Sequence, residues 1–144
     1  MTDLIVWRES WLTNIPDIDQ QHITMTNKLN QIIDLLNHLD INKNCNKKLE
    51  MLLLEFLNLT HNHFASEEIL MRQADYPDYS VHKKEHMILH GDLVQYIHDI
   101  KCDKSTIESG VLSALKHWFI AHITGDDKAF AIYYNNIIEG GNDT

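Results

Sequence analysis

From Asp19 onward the inward-facing positions return at His22, Met25, Thr26, Leu29, Ile32, Ile33 and Leu36. Those are steps of three and four, the stripe of an amphipathic helix. The spacing predicts a helix over about 19–41, closed by the polar run Asn-Lys-Asn-Cys-Asn at 42–46. A second stripe, Leu49, Leu52, Leu53, Phe56, Leu59, Thr60, His63, Glu67 and Leu70, predicts a helix over 47–73, and Tyr76-Pro77-Asp78 breaks it. A third helix is expected over 80–100, stopped by a turn at 101–105. A fourth, over 106–124, carries Val111, Leu115, Trp118 and His122, with Gly125 loosening or ending it and a further helical stretch at 126–138. No segment alternates with the period of two that a half-buried strand would show.

Four helices joined by short connections predict an all-α, up-down-up-down four-helix bundle. Residues 1–18, with Trp7, Trp11 and Pro16, are expected as an N-terminal arm laid against it. The 144 residues fit a single domain over 1–144, long enough to bury a core without disulfides. In this topology helix one starts, helix two ends, helix three starts and helix four ends at one pole.

Composition narrows the partners. Twelve basic against 21 acidic residues leave a net charge of -9, which repels nucleic acid and anionic lipid, so neither is expected as a partner. No run approaches the roughly 20 apolar residues of a membrane-spanning helix, and the opening MTDLIVWRESWL lacks the basic start of a secretory signal. Cys45 and Cys102 form neither a CxxC nor a finger spacing and are expected as free thiols in loops far from the pole. A cytoplasmic protein, expected as a monomer, follows.

The outlier is histidine, at 10 residues. His22, His63 with Glu67, His82 with His86, and His122 with Asp127 all fall at the shared pole, on the inward stripes. Burying five imidazoles and two carboxylates uncompensated would cost several kcal/mol per group. A bound metal is the economical compensation. Seven donors exceed one tetrahedral zinc, while imidazole and carboxylate without thiolate suit iron. Two octahedral irons offer twelve positions. Five imidazoles, two bridging carboxylates and one bridging oxygen fill eleven and leave one open for a small ligand.

Other residues read more simply. His38, His61, His90, His98 and His117 do not converge on the pole and are expected at the surface or boundary, although His90 extends the His82–His86 row by a turn. Glu68 and Asp126 neighbour the cluster and are expected to point outward as solvated charges. Met25, Phe64, Trp118 and Ile123 lie beside the cluster, as an apolar shield or as ordinary core.

Four stretches carry a resemblance: IPDIDQQH ending at His22, HFASEEILM from His63, YPDYSVHKKEH, and WFIAHITGDD. In order and spacing they resemble the hemerythrin family, specifically its single-domain bacterial members, over residues 7 to 133. Leu59 departs from the pattern, standing where many bacterial members have an aromatic residue. The resemblance implies a four-helix bundle with a non-haem, oxygen-bridged di-iron centre. One iron would be held by His82, His86 and His122, the other by His22 and His63, with Glu67 and Asp127 bridging. It implies reversible O₂ binding at the two-histidine iron, as carrier, store or delivery module, with no catalytic residue. The alternatives are an O₂ or redox sensor module and a di-iron oxidase or peroxidase. Such oxidases use Glu-x-x-His pairs and carboxylate-rich shells, unlike the five imidazoles and two carboxylates here.

Overall fold

A computed structural model describes residues 2–38, 47–102 and 109–142. The arm holds one 3₁₀ turn, Glu9–Trp11, and five helical segments follow: α1 Pro16–Asn37, α2 Lys47–Gln73, α3 Tyr79–Cys102, α4 Ser109–Ala121 and α5 Asp127–Asn142. A π turn, His122–Asp126, joins α4 to α5. The sequence expectations for 39–46, Cys45 included, and for 103–108 lie outside the described residues.

Helix α1 begins three residues before its expected start because Pro16 takes the first helical position, where its missing N–H costs nothing. The turn ahead of it is tied down by Asp19, whose Oδ1 accepts from the Thr13 amide at 2.7 Å and the Thr13 hydroxyl at 2.8 Å. Asn14, at φ 63, takes the left-handed conformation that this turn requires. The arm ends there and then follows α1. Asn30 exchanges two hydrogen bonds with the backbone of Ile5, and Asn37 does the same with Thr2. Ile5 is buried, and Trp7 and Trp11 meet edge to face at 5.4 Å on the core.

One expectation is corrected: Cys102 ends α3 in place of lying in a loop. Gly125 loosens the fourth helix without breaking the rod: both residues flanking the π turn are in αR geometry, so α4, the turn and α5 run on as one rod.

That continuity divides the core. The larger apolar cluster includes Met25, Leu29, Phe56, Leu93, Phe119 and Ile123. A smaller one gathers Ile15, Ile18, Met71, Phe130 and Ala131, with Tyr76 and Tyr134 against it. His22 on α1, His63 and Glu67 on α2, and Asp127 on the rod fall in sequence between members of the two clusters. The polar layer therefore sits one layer inside the bundle, sealed by the smaller cluster. Sequence placed it at the pole where helices one to four meet; α5 continues the rod beyond it.

Candidate metal centre

All seven residues singled out from sequence are brought together, and each is between 0% and 4% exposed. Their donor atoms form two sets. One comprises Glu67, His82, His86, His122 and Asp127; the other comprises His22, His63, Glu67 and Asp127. Within each set the donor atoms lie within 4.8 Å of one another. The two carboxylates belong to both.

Each carboxylate divides its oxygens between the sets. Asp127 Oδ2 is 2.8 Å from both His22 Nε2 and His63 Nε2, while its Oδ1 is 3.0 Å from His122 Nε2 and 3.4 Å from His82 Nε2. Glu67 Oε1 lies 2.7 Å from His82 Nε2 and 3.2 Å from His86 Nε2, while Oε2 faces His63 at 3.6 Å.

Local helix geometry accounts for this convergence. His63 with Glu67, and His82 with His86, are i, i+4 pairs that share a face on α2 and α3. His122 and Asp127 are five apart, and five α-helical steps of about 100° would leave them about 140° apart round the axis. In the π turn the Asp127 amide donates to the His122 carbonyl, an i→i+5 bond that puts five residues on about one turn. Both side chains then face the cluster. Nothing in the sequence beyond the spacing itself signals this turn.

Many of these polar atoms are orphaned. Both Glu67 oxygens, Asp127 Oδ1, and Nε2 of His82, His86 and His122 are buried without a hydrogen-bond partner. Several lie at hydrogen-bonding distance from one another yet out of hydrogen-bonding geometry, as expected of lone pairs aimed at shared points between them. Buried polar atoms left unmatched cost about 1–3 kcal/mol each. Bound metal would answer them, and the imidazole–carboxylate donors without thiolate fit iron.

Electrostatics tell the same story for the metal-free chain. Burial, then the charge on Asp127, holds the Glu67 carboxyl well above its usual range. Burial works the same way on Asp127, but attraction to His122 and His63 outweighs it and holds that carboxylate well below its usual range. Burial lowers His63. Burial, with repulsion from His82 and His122, lowers His86 to about 2. For His122 burial is again the largest influence, yet the nearby Asp127 reverses it and the imidazole is raised.

Two outer partners fix the imidazoles. His63 Nδ1 donates to Gln21 Oε1 at 2.8 Å, and Gln21 is braced by Ser66. His86 Nδ1 donates to Glu68 Oε2 at 3.0 Å. Glu68 therefore does not point away as a plain solvated charge; it turns in from the bundle edge to orient a cluster histidine. Such a bond sets the tautomer and ring orientation of a ligating imidazole. Both residues adjoin a ligand in the quoted stretches, and sequence had no means of telling their orientation. Asp126 does remain half exposed, 3.9 Å from His122.

The apolar neighbours are unequal. Phe64 stacks on His86 at 3.9 Å and 7°, and also meets His63 and His122. Trp118 lies parallel to His122 at 6.0 Å. Met25 and Ile123 are fully buried in the larger cluster. The half-buried Leu59 packs against that cluster, where its smaller side chain concerns packing alone. His38, His61, His98 and His117 are exposed and His90 is half buried, turned from the cluster toward His61.

Comparison with known proteins gives a consistent picture. The family model described as the hemerythrin HHE cation binding domain matches residues 13–132. A bacteriohemerythrin of Stenotrophomonas maltophilia is 32% identical over 130 residues, covering 89% of this chain and 80% of that protein. A hemerythrin of Phascolopsis gouldii is 31% identical over 121 residues, covering 84% and 85%. A crystal structure of a hemerythrin point mutant shares the fold, with a TM-score of 0.76, 23% identity, and coverage of 92% of this chain and 98% of that one.

Proposed function

The chain belongs to the hemerythrin family, and from that premise we propose that it binds O₂ reversibly at a non-haem centre of two irons. The observation that carries this reading is the division of the Glu67 and Asp127 oxygens between two sets of imidazoles. We assign His82, His86 and His122 to one iron, His22 and His63 to the other, and Glu67 and Asp127 to both. An iron pair held there would supply reversible two-electron chemistry and a place for a small ligand such as O₂.

The chain's own residues do the rest. Gln21 and Glu68 hold the His63 and His86 rings with Nε2 inward. Phe64, Met25 and Ile123 keep water from the imidazoles. The smaller apolar cluster closes the other end.

Binding is favoured over catalysis by a further observation. Among the described residues, every buried titratable side chain belongs to the seven, and the remaining buried polar residues are threonines. No spare buried acid or base stands ready to cycle protons. The charge of -9 fits a freely diffusing monomer in the cytoplasm, which neither nucleic acid nor anionic lipid attracts. Among the described residues, no helix is long and apolar enough to cross a membrane.

The test is anaerobic loading with ferrous iron, then air, then vacuum, followed by visible absorption and iron analysis. Two irons per chain and a band that appears in air and fades under vacuum are expected. One zinc per chain with refusal of iron overturns the metal assignment. Many turnovers of peroxide or a reductant, without a reversible band, overturn the carrier reading in favour of the oxidase.

A further inference from the structure

Outside the cluster, α2 and α3 form the walls of a groove of about 390 Å³, lined by His61, Phe64, Ala65, Glu68, His86, Met87 and His90. On α2, His61, Ala65 and Glu68 stand at i, i+4 and i+7, one stripe of the helix. On α3, His86 and His90 stand one turn apart. The small Ala65 keeps the middle of the groove open.

At one end the His61 and His90 rings face each other, with centroids 5.6 Å apart and planes inclined at 59°. That spacing has an internal standard. The three imidazoles assigned to one iron have centroid separations of 4.5, 5.4 and 5.8 Å. The outer pair falls inside this range, near enough for both rings to reach one ion. At the other end stand Glu68 and the His86 ring it holds, so the groove joins the exposed His61 and half-buried His90 to an imidazole of the buried cluster by way of a carboxylate.

We propose that His61 and His90 form an outer site for a divalent transition-metal ion, and that the groove beneath them is the route by which ferrous iron reaches the buried centre. Paired imidazoles suit zinc, copper, iron and nickel, and water completes the shell at an exposed position. The half buried nature of the groove explains the placement: an ion caught by two rings loses part of its water there, then passes to the Glu68 carboxylate before meeting His86. The route rests on the di-iron reading; the outer site does not.

The test uses iron-loaded protein dialysed against zinc, with both metals counted. Wild type is expected to take up one zinc per chain without losing iron, and His61→Ala and His90→Ala are each expected to lose it with unchanged circular dichroism. No added zinc in wild type, or zinc retained in both variants, overturns the site. For the route, metal-free protein is mixed anaerobically with ferrous iron and uptake is followed in time. Both variants are expected to fill several-fold more slowly to the same final iron content. Equal rates overturn the route. Failure of the proposed function itself would show separately, as iron missing from the wild type before any zinc is added.

Discussion

The backbone amide of Asp127 donates to the carbonyl of His122, and this one i→i+5 bond turns two residues that an α-helix would set well apart onto a single face. Gly125 lies inside the turn, yet nothing stands within 4 Å of a Cβ added to it and its φ is not positive. With His122 and Asp127 five apart, the site requires the i→i+5 turn and not glycine's freedom. Deleting Gly125 should restore α geometry and leave the two residues four apart, still on one face, so the variant should keep most of its iron. Gly125→Ala should keep two irons per chain and gain up to about 1 kcal/mol of stability. Iron analysis and thermal melts of both variants check this; a deletion variant that loses its iron would refute it.

Gln21 and Glu68 act on the metal through the histidines they hold. Outer partners of this kind are worth about 10–100-fold in metal affinity. Gln21→Ala and Glu68→Ala should therefore lose iron to a competing chelator at about that much lower concentration, while the metal-free proteins melt alike. Unchanged competition curves would mean that packing alone fixes the rings.

Removing the metal leaves the orphaned atoms uncompensated, so the metal-free chain should melt below the iron form. Its acid response can be read residue by residue. His86 is held at about 2 when folded against a usual 6.5, so below about pH 6.5 the unfolded chain binds a proton that the folded chain refuses. Stability from this group is therefore lost as pH falls, by about 2 kcal/mol between pH 6.5 and 5. His63 acts in the same direction; the raised Glu67 and His122 oppose it, losing stability as pH rises. The His86 share is isolated by comparison: metal-free His86→Gln should lose less stability than metal-free wild type on going from about pH 7 to 5. Parallel denaturant titrations at the two pH values measure it, and an equal or larger loss in the variant would contradict the assignment.

Burial and the neighbouring Asp127 hold the Glu67 carboxyl well above its usual range in the metal-free chain and so favour its protonated form. Metal binding needs the carboxylate. Loading at about pH 7 should therefore release protons, visible with an indicator dye in weak buffer. Glu67→Gln should release fewer and hold less iron; identical release by the variant would place the proton elsewhere.

Met25 is fully buried in the core, one turn from His22. A polar side chain there should admit water to the two-histidine side. Met25→Gln is expected to shorten the life of the oxygenated band in air while iron stays near two per chain. Trp118→Ser should do less, because the structure sets Trp118 against His122 on the other side. Equal decay in all three proteins would leave Met25 as ordinary core.

The helices were legible in the sequence, since a stripe at steps of three and four is a local property of the chain, and so were the seven buried polar residues that the structure gathers, since imidazoles and carboxylates on an inward stripe demand a common partner. The sequence also marked where the fourth helix changes character at Gly125. Tertiary structure alone decided what that change is. A π turn depends on whether the two halves of the rod are better seated with one residue looped out, and that is settled by where His122 and Phe130 must pack. Tertiary structure likewise decided that Glu68 turns inward to His86, and that His90 leaves its row to face His61. Glu68 and His90 sit near the edge of a helical stripe, where a small rotation of the helix chooses between water and a neighbour. That rotation is fixed by the packing of α2 on α3, which no single helix encodes.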